Sequence, residues 1–358
     1  MKLAIVGIRG IPNNYGGFET LAEYLVEHLS SEIDITVYCS SVDMDSNMQE
    51  HNGAQLRYIP ITSHGAKGII YDSLALIKAI NSFDKVLFLG FGGGYVMPFL
   101  SKKQQNKLIL NIGGLDWQRN KWSSFAQKII KTAERLLIKN CGRIVADNIG
   151  IQKYIKETYN KNSTLIAYGG DQAIHREISD LALAEYPFLK DKYAFTVTRI
   201  QSDNNIEMIL ESFCMQDVMP LVMVGNWNNS EYGKIIKAKF QNHEGLILLD
   251  AIYDRKKLDI LRSNCTIYIH GHSAGGTNPS LTEAMYLGLP VFAYSSGYNE
   301  YTTNNLAIYF NSAEELASQV ENYTSLPIAN MGSKLMEYAK TNYRWSDVAN
   351  KYKRLILN

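Results

Sequence analysis

His270-Gly271-His272-Ser273-Ala274-Gly275-Gly276-Thr277-Asn278-Pro279-Ser280-Leu281-Thr282-Glu283-Ala284-Met285 is the stretch on which the fold of this chain turns. The apolar run 266–269 before it reads as a strand and the residues after Pro279 as a helix, so the segment predicts strand, glycine turn, helix start. Paired glycines let backbone N–H groups come close to a ligand, and Pro279 suits a first helical turn. Unpaired N–H groups and the helix dipole at such a start favour an anion, a phosphate before any other. A plain tight turn with Thr277 or Asn278 as N-cap explains the same residues, so the rest of the chain has to decide.

Outward from that turn, strand-like runs fall at 2–8, 34–38, 55–59, 85–89, 107–112 and 143–146, with helical patterns between several of them. The pattern restarts with a strand at 193–200, a helix from about 204 to 213, and strands at 221–224, 246–249, 266–269 and 290–293. Such alternation predicts an α/β chain of parallel sheets wrapped by helices, with ligands held beyond the carboxyl ends of the strands. In the first half those ends are the loops 9–18, 90–94 and 113–122. We expect two Rossmann-like domains, 1–172 and 173–342. A last helical pattern, 333–357, is rich in aromatics (Tyr338, Tyr343, Trp345, Tyr352), and its end, about 343–358, packs back on the first domain.

The 358 residues suffice for two cores, and Lys+Arg 36 against Asp+Glu 35 leaves no global excess of positive charge to draw nucleic acid. Cys39, Cys141, Cys214 and Cys265 have neither metal-ligand nor disulfide-framework spacing, which fits a reducing cytoplasm. No stretch has the length of a membrane span or the pattern of a signal sequence. Glycines 7, 10, 16 and 17 do not make the dinucleotide fingerprint, which argues against an NAD enzyme. Asp43-Met44-Asp45 matches a metal-binding pair only formally, because it sits in a polar Ser/Asp/Asn stretch rather than at the end of a convincing strand. Over 121–140, Phe125, Ile129, Ile130, Ala133, Leu136 and Leu137 line one side. Lys128, Lys131, Arg135 and Lys139 line the other, interrupted by Glu134. That helix either packs on the core with a solvated face or lies against an anionic membrane.

Several local sequences carry a resemblance: Gly10-Ile11-Pro12 with Tyr15-Gly16-Gly17-Phe18-Glu19-Thr20; Asn111 through Gly114-Leu115-Asp116-Trp117 to Arg119; Ala167-Tyr168-Gly169; Arg199 with Asn204-Asn205-Ile206; and Gly275 to Leu281. Together they resemble the rhamnosyltransferase-type branch of the family-four retaining glycosyltransferases of bacterial capsule and cell-wall synthesis. The resemblance implies a GT-B fold, two Rossmann-like domains facing across a cleft, the second holding a nucleotide sugar and the first an acceptor.

In residue terms it implies diphosphate contacts from Arg199 and from Gly275, Gly276, Thr277, Asn278, Pro279, Ser280 and Leu281. Glu283 would hold the ribose, and Ile252 and Tyr253 would meet the base. Gly10, Tyr15, Gly16, Gly17, Phe18, Glu19, Trp117 and Arg119 would serve the acceptor. Three positions depart from the family. Asn204 stands where a lysine shares the diphosphate charge, Gly275 where most relatives carry a glutamate, and Gly113-Gly114 and Asp116-Trp117 where the branch has Asp-Gly and Glu-Trp.

The implied chemistry is transfer with retention, most simply of rhamnose from dTDP-rhamnose to a glycan or lipid-diphosphate-linked glycan. It needs no metal or other cofactor. Arg199 and the helix start stabilise the leaving diphosphate. Asp116 orients the acceptor hydroxyl or is a helix-start carboxylate beside Arg119. His272 could donate to sugar or phosphate, whereas His270 reads as a structural residue satisfied by backbone. The setting is cytoplasmic, peripheral at the inner face of the membrane through 121–140. The rivals are a GT-B nucleotide-sugar epimerase and an idle nucleotide-binding protein.

Overall fold

The computed structural model describes residues 1–12, 16–119 and 122–358. Tyr15 and Lys121 therefore lie outside the described residues. The chain forms two compact units: Met1–Tyr168 joined by Trp345–Asn358, and Gly169–Arg344.

The first unit opens with β1 (Lys2–Val6), α1 (Gly17–Leu29), β2 (Asp34–Ser40), β3 (Glu50–His51) and β4 (Ala54–Ile59). It continues with α2 (Gly65–Ser82), β5 (Lys85–Leu89), a 3₁₀ turn (Gly92–Phe99), α3 (Lys102–Gln105) and β6 (Leu108–Ile112). Next come α4 (Ser124–Asn140), β7 (Arg143–Ala146), α5 (Ile149–Tyr159) and β8 (Thr164–Leu165). Among the described residues the strands run in the order β3-β4-β2-β1-β5-β6-β7-β8, parallel except for the β3–β4 hairpin. Central strands such as β6, Leu-Ile-Leu-Asn-Ile, are buried along their whole length. Continuous apolar runs are what a parallel sheet covered on both faces requires.

The two faces divide by alternation. Leu3, Ile5, Leu87, Leu89, Ile109 and Val145 share one core with α1 and the C-terminal helix. Phe88 points the other way, toward α2 and the 3₁₀ turn: a Cβ on Gly93 would stand 2.8 Å from the Phe88 ring and 3.2 Å from Leu76. Gly94 lets that turn nest on α4, since a Cβ there would lie 2.2 Å from the Ala133 carbonyl oxygen. So α2, the turn and α4 lie side by side as one layer.

The second unit holds α6 (Asp180–Glu185), β9 (Ala194–Val197), α7 (Ile206–Cys214), β10 (Leu221–Val224), α8 (Glu231–Phe240), β11 (Leu246–Leu249) and α9 (Arg255–Ser263). After these come β12 (Ile267–His270), α10 (Pro279–Tyr286), β13 (Val291–Tyr294), α11 (Tyr298–Thr303), β14 (Ile308–Phe310), α12 (Ala313–Glu321) and α13 (Ile328–Asn342). Its described strands pair in parallel in the order β11-β10-β9-β12-β13-β14.

The single last helix expected over 333–357 is two helices, α13 and α14 (Trp345–Leu357). Tyr343 explains the break. Its carbonyl accepts from Gly170 N–H at 2.8 Å and its hydroxyl donates to the Thr302 carbonyl at 2.7 Å, which hold it in the second unit. Two residues on, Trp345 is buried in the first unit, stacked on Tyr24 with ring centres 4.4 Å apart. Truncating a buried tryptophan removes its transfer energy and leaves a cavity, so Trp345→Ala should destabilise the first unit by about 3–5 kcal/mol. Urea unfolding followed by circular dichroism checks this; a loss below about 1 kcal/mol would show that α14 is not held by that stack.

Candidate functional site

The glycine turn leaves β12 at His270 and enters α10 at Pro279. Asn278 caps the helix: its Oδ1 accepts from Ser280 N–H at 3.1 Å and from Ser280 Oγ at 2.8 Å. Its carbonyl accepts from the N–H groups of Leu281 and Thr282, both at 3.1 Å. The donors just past Pro279, which the sequence predicts to be unpaired, are thus already engaged. An anion can recruit Ser280 only by displacing the Asn278 side chain, and the approach shifts toward residues 275–278. Gly275 has φ +124° and nothing within 4 Å of where a Cβ would stand. The backbone conformation, not lack of room, is what asks for glycine there.

Arg199 follows β9 and is half-buried. Asn204 is buried and donates through Nδ2 to the Arg199 carbonyl at 2.7 Å and to Thr198 Oγ at 3.1 Å. Where the resemblance has a lysine, this chain has an amide that fixes the backbone of Arg199. The same turn is stapled to the start of the glycine turn. Ser273 donates its N–H (3.0 Å) and its hydroxyl (2.7 Å) to the Asp203 carbonyl, and Asn205 Nδ2 donates to the Gly271 carbonyl at 2.9 Å. The structure therefore brings the Arg199 turn and the glycine turn together.

His272 stacks on His270 with ring centres 4.5 Å apart, and its carbonyl accepts from Asn299 Nδ2 at 3.0 Å. His270 is 1% exposed, and burial drives its ring down to a pKa of about 3. Its Nε2 has no partner among the described residues, so it is not the fully satisfied histidine expected.

Glu283 is held from two sides. Gln172 Nε2 donates to Oε1 at 2.6 Å, and Arg262 Nη1, on α9, meets Oε2 at 2.6 Å. Arg262 is buried, and neither it nor Gln172 was expected in the site; nothing in their local sequence marks them, because the contact joins distant segments. Ile252 and Tyr253 lie in the loop after β11, with Tyr253 standing 65% exposed.

In the first unit the expected residues sit past the carboxyl ends of the strands. Gly10 is buried, Gly16 caps α1, and Gly17, Phe18 and Glu19 form its first turn. Glu19 Oε1 accepts from Arg9 N–H at 3.1 Å. Phe18 lies where a Cβ on Gly113 would be, 2.8 Å away, and so joins this loop to the next. There Asp116 pairs with Arg119 at 2.8 Å, and Lys131 Nζ sits 3.8 Å over the Trp117 ring. Sequence reasoning missed Arg9, His64 and Asp72 on this edge. Arg9 Nη2 lies 2.6 Å from His64 Nε2. Burial, with the Glu19 charge nearby, pushes the Asp72 carboxyl up to about 8. Asp43 opposes burial with hydrogen bonds from Ser63 N–H and Oγ and from Thr62 Oγ, which hold its pKa at about 2 and make it a loop clamp.

Residues 183–342 match the family described as glycosyl transferases group 1. The chain carries a group 1 glycosyltransferase domain. Its enzyme class is glycosyltransferase, and its α/β architecture is the GT-B fold. Residues 1–171 match a family described as a domain of unknown function, DUF1972. No curated protein sequence matches. Among solved structures, this glycosyltransferase is similar to sucrose-phosphate synthase from Thermosynechococcus elongatus (15% identity, TM-score 0.83, covering 99% of this chain and 98% of that one). It is also similar to Anabaena HepE in complex with UDP-glucose (12% identity, TM-score 0.77, 99% of both chains). An E. coli trehalose-6-phosphate protein bound with UDP-2-fluoro glucose matches at 8% identity and TM-score 0.74, again over 99% of both.

His270 gives the enzyme a pH signature. The native ring stays neutral down to about pH 3, whereas an unfolded histidine takes its proton near 6.5. Between those values the unfolded state binds one proton more, so stability falls as pH falls, by about 1.4 kcal/mol per unit. His270→Phe should flatten the stability profile between pH 6 and 4 (about one proton's slope) in urea titrations. Equal slopes in both proteins would contradict it.

Proposed function

We propose that this glycosyltransferase transfers rhamnose from dTDP-rhamnose, with retention, to a lipid-diphosphate-linked glycan of a surface polysaccharide. It works in the cytoplasm at the inner face of the membrane. The observation that supports a diphosphate-bearing donor is the staple between the Arg199 turn and the glycine turn, through Ser273 and Asn205. It joins the turn that carries Arg199 to a glycine loop that leads into a helix start, and an arginine, a glycine loop and a helix start each favour a diphosphate. As the sugar–phosphate bond breaks, charge grows on the leaving diphosphate. Arg199 and the N–H groups of 275–278, joined by Ser280 once the Asn278 cap is displaced, offset it, so the reading assigns no role to a metal.

Retention follows from attack on the face the diphosphate leaves, with a leaving oxygen taking the acceptor proton. Glu283, its carboxylate aimed by Arg262 and Gln172, accepts from the ribose, and His272 donates to a sugar hydroxyl. Tyr253 and Ile252 cover the base. On the first unit, Asp116 with Arg119 orients the acceptor hydroxyl, and the loop 10–19 with Trp117 holds the glycan. HepE and the E. coli protein are described with UDP sugars; the rhamnose and dTDP assignments rest on the sequence resemblance, including Gly275 in place of an acid.

The experiment follows donor consumption with dTDP-rhamnose or UDP-glucose, with and without a lipid-linked acceptor. The expected outcome is turnover of dTDP-rhamnose only with acceptor present, lowered about 10²–10³-fold in Arg199→Ala. An epimerised free nucleotide sugar, or nucleotide binding without turnover in any condition, would overturn the proposal.

A further inference from the structure

The whole chain is nearly neutral, yet the solvent face of one helical layer is not. Lys+Arg 36 against Asp+Glu 35 would give an even mixture of charge on any large surface. On the layer formed by α2, the 3₁₀ turn with α3, and α4, every exposed charge is positive. Lys67 and Lys78 come from α2, Lys102 and Lys103 from α3, and Lys128, Arg135 and Lys139 from α4. The two carboxylates in these segments are withdrawn. Asp72 is half-buried, its Oδ2 lying 2.1 Å from where a Gly92 Cβ would stand. Glu134, expected to interrupt the basic face, is fully buried and accepts from Tyr154 at 2.6 Å and Tyr159 at 2.7 Å. The opposite layer shows what a mixed surface looks like: α1 and α14 expose Glu27 and Asp347 beside Lys351 and Arg354.

The cationic layer also exposes large apolar side chains. On α2, Ile70, Leu74 and Ile77 are 54%, 36% and 42% exposed, at a spacing that puts them on one stripe. Phe99, ending the 3₁₀ turn, is 87% exposed. Phe125, on the apolar side of the α4 sequence pattern, is 74% exposed. Apolar groups standing in water among lysines, with no exposed carboxylate, match the headgroup and upper acyl region of an anionic bilayer. A nucleic acid would meet the cations but leave the aliphatic stripe unused. A second copy of the face would bring like charges together.

We infer that the outer face of the α2–3₁₀–α4 layer docks on an anionic membrane surface, with Phe99, Phe125 and the α2 stripe inserted and the lysines on the headgroups. This rests on the proposed use of a lipid-linked acceptor for its purpose, and it widens the contact from the one basic helix to a whole layer. No helix among the described residues is long and apolar enough to cross a membrane, so attachment through them is peripheral.

The test is cosedimentation of the full chain with phosphatidylcholine vesicles, with and without phosphatidylglycerol. It is run for wild type, for Phe99→Asp/Phe125→Asp, and for Glu27→Lys on the opposite face. The expected result is binding only to anionic vesicles, weakened about tenfold in the double variant and unchanged in Glu27→Lys. No binding, binding equal in the double variant, or stronger capture by single-stranded DNA than by vesicles would overturn it. Circular dichroism melting establishes that the double variant is folded. The shift in melting temperature with nucleotide, measured without vesicles, reports separately on the donor reading. Vesicle binding without any nucleotide shift would sink that reading and leave the docking face standing.

Discussion

Parallel strands buried on both faces send every loop that follows a strand to the same edge of the sheet, and this constraint organises each unit. In the first unit the edge collects the loops after β1, β2, β4, β5 and β6, and with them Glu19, Asp43, His64 and Asp116. In the second it collects the Arg199 turn after β9, Tyr253 after β11 and the glycine turn after β12. Residues far apart in sequence become neighbours because the sheet has one carboxyl edge. Chemistry then depends on what locks the loops to one another, and here short polar side chains do so. Ser273 and Asn205 join two turns, and Asn278 closes the helix start.

Much of this was legible from the residues. Strands such as Leu221–Val224 and Lys85–Leu89 announce themselves as apolar runs between polar turns, and the structure reproduces those limits. The short edge strands β3, β8 and β14 escape notice because two or three residues carry no period. The tail was read as one helix because 333–357 keeps a helical pattern throughout. Its break is set by tertiary contacts of Tyr343 and Trp345 that no local pattern encodes. Phe125 and Glu134 depart from the helical spacing: the glutamate on the basic side is drawn in by the hydroxyls of Tyr154 and Tyr159, while the phenylalanine on the apolar side stands exposed in the first turn of α4. The polar network at Glu283 was half visible, since Glu283 was expected in the site, whereas Arg262 and Gln172 arrive from elsewhere in the unit.

The departures from the family pattern gain physical meaning. Asn204 does not replace a charge; it spends its amide on the backbone of Arg199, so one cation instead of two serves the turn. Gly275 keeps a positive φ that a glutamate would adopt only under strain, while leaving open the space such a side chain would fill. Both changes remove a charge from these two turns, and Gly275 leaves open the room that an acidic side chain would fill.

The central claim is that a nucleoside diphosphate sits on the glycine turn and the start of α10. The direct measurement is a titration of ¹⁵N-labelled protein with dTDP, following the backbone amide resonances. The largest shifts are expected at residues 275–281 and in the Arg199 turn, with Ser280 among them as the nucleotide displaces the Asn278 cap. Shifts confined to the first unit, or none at residues 275–281 while nucleotide binds, would contradict it.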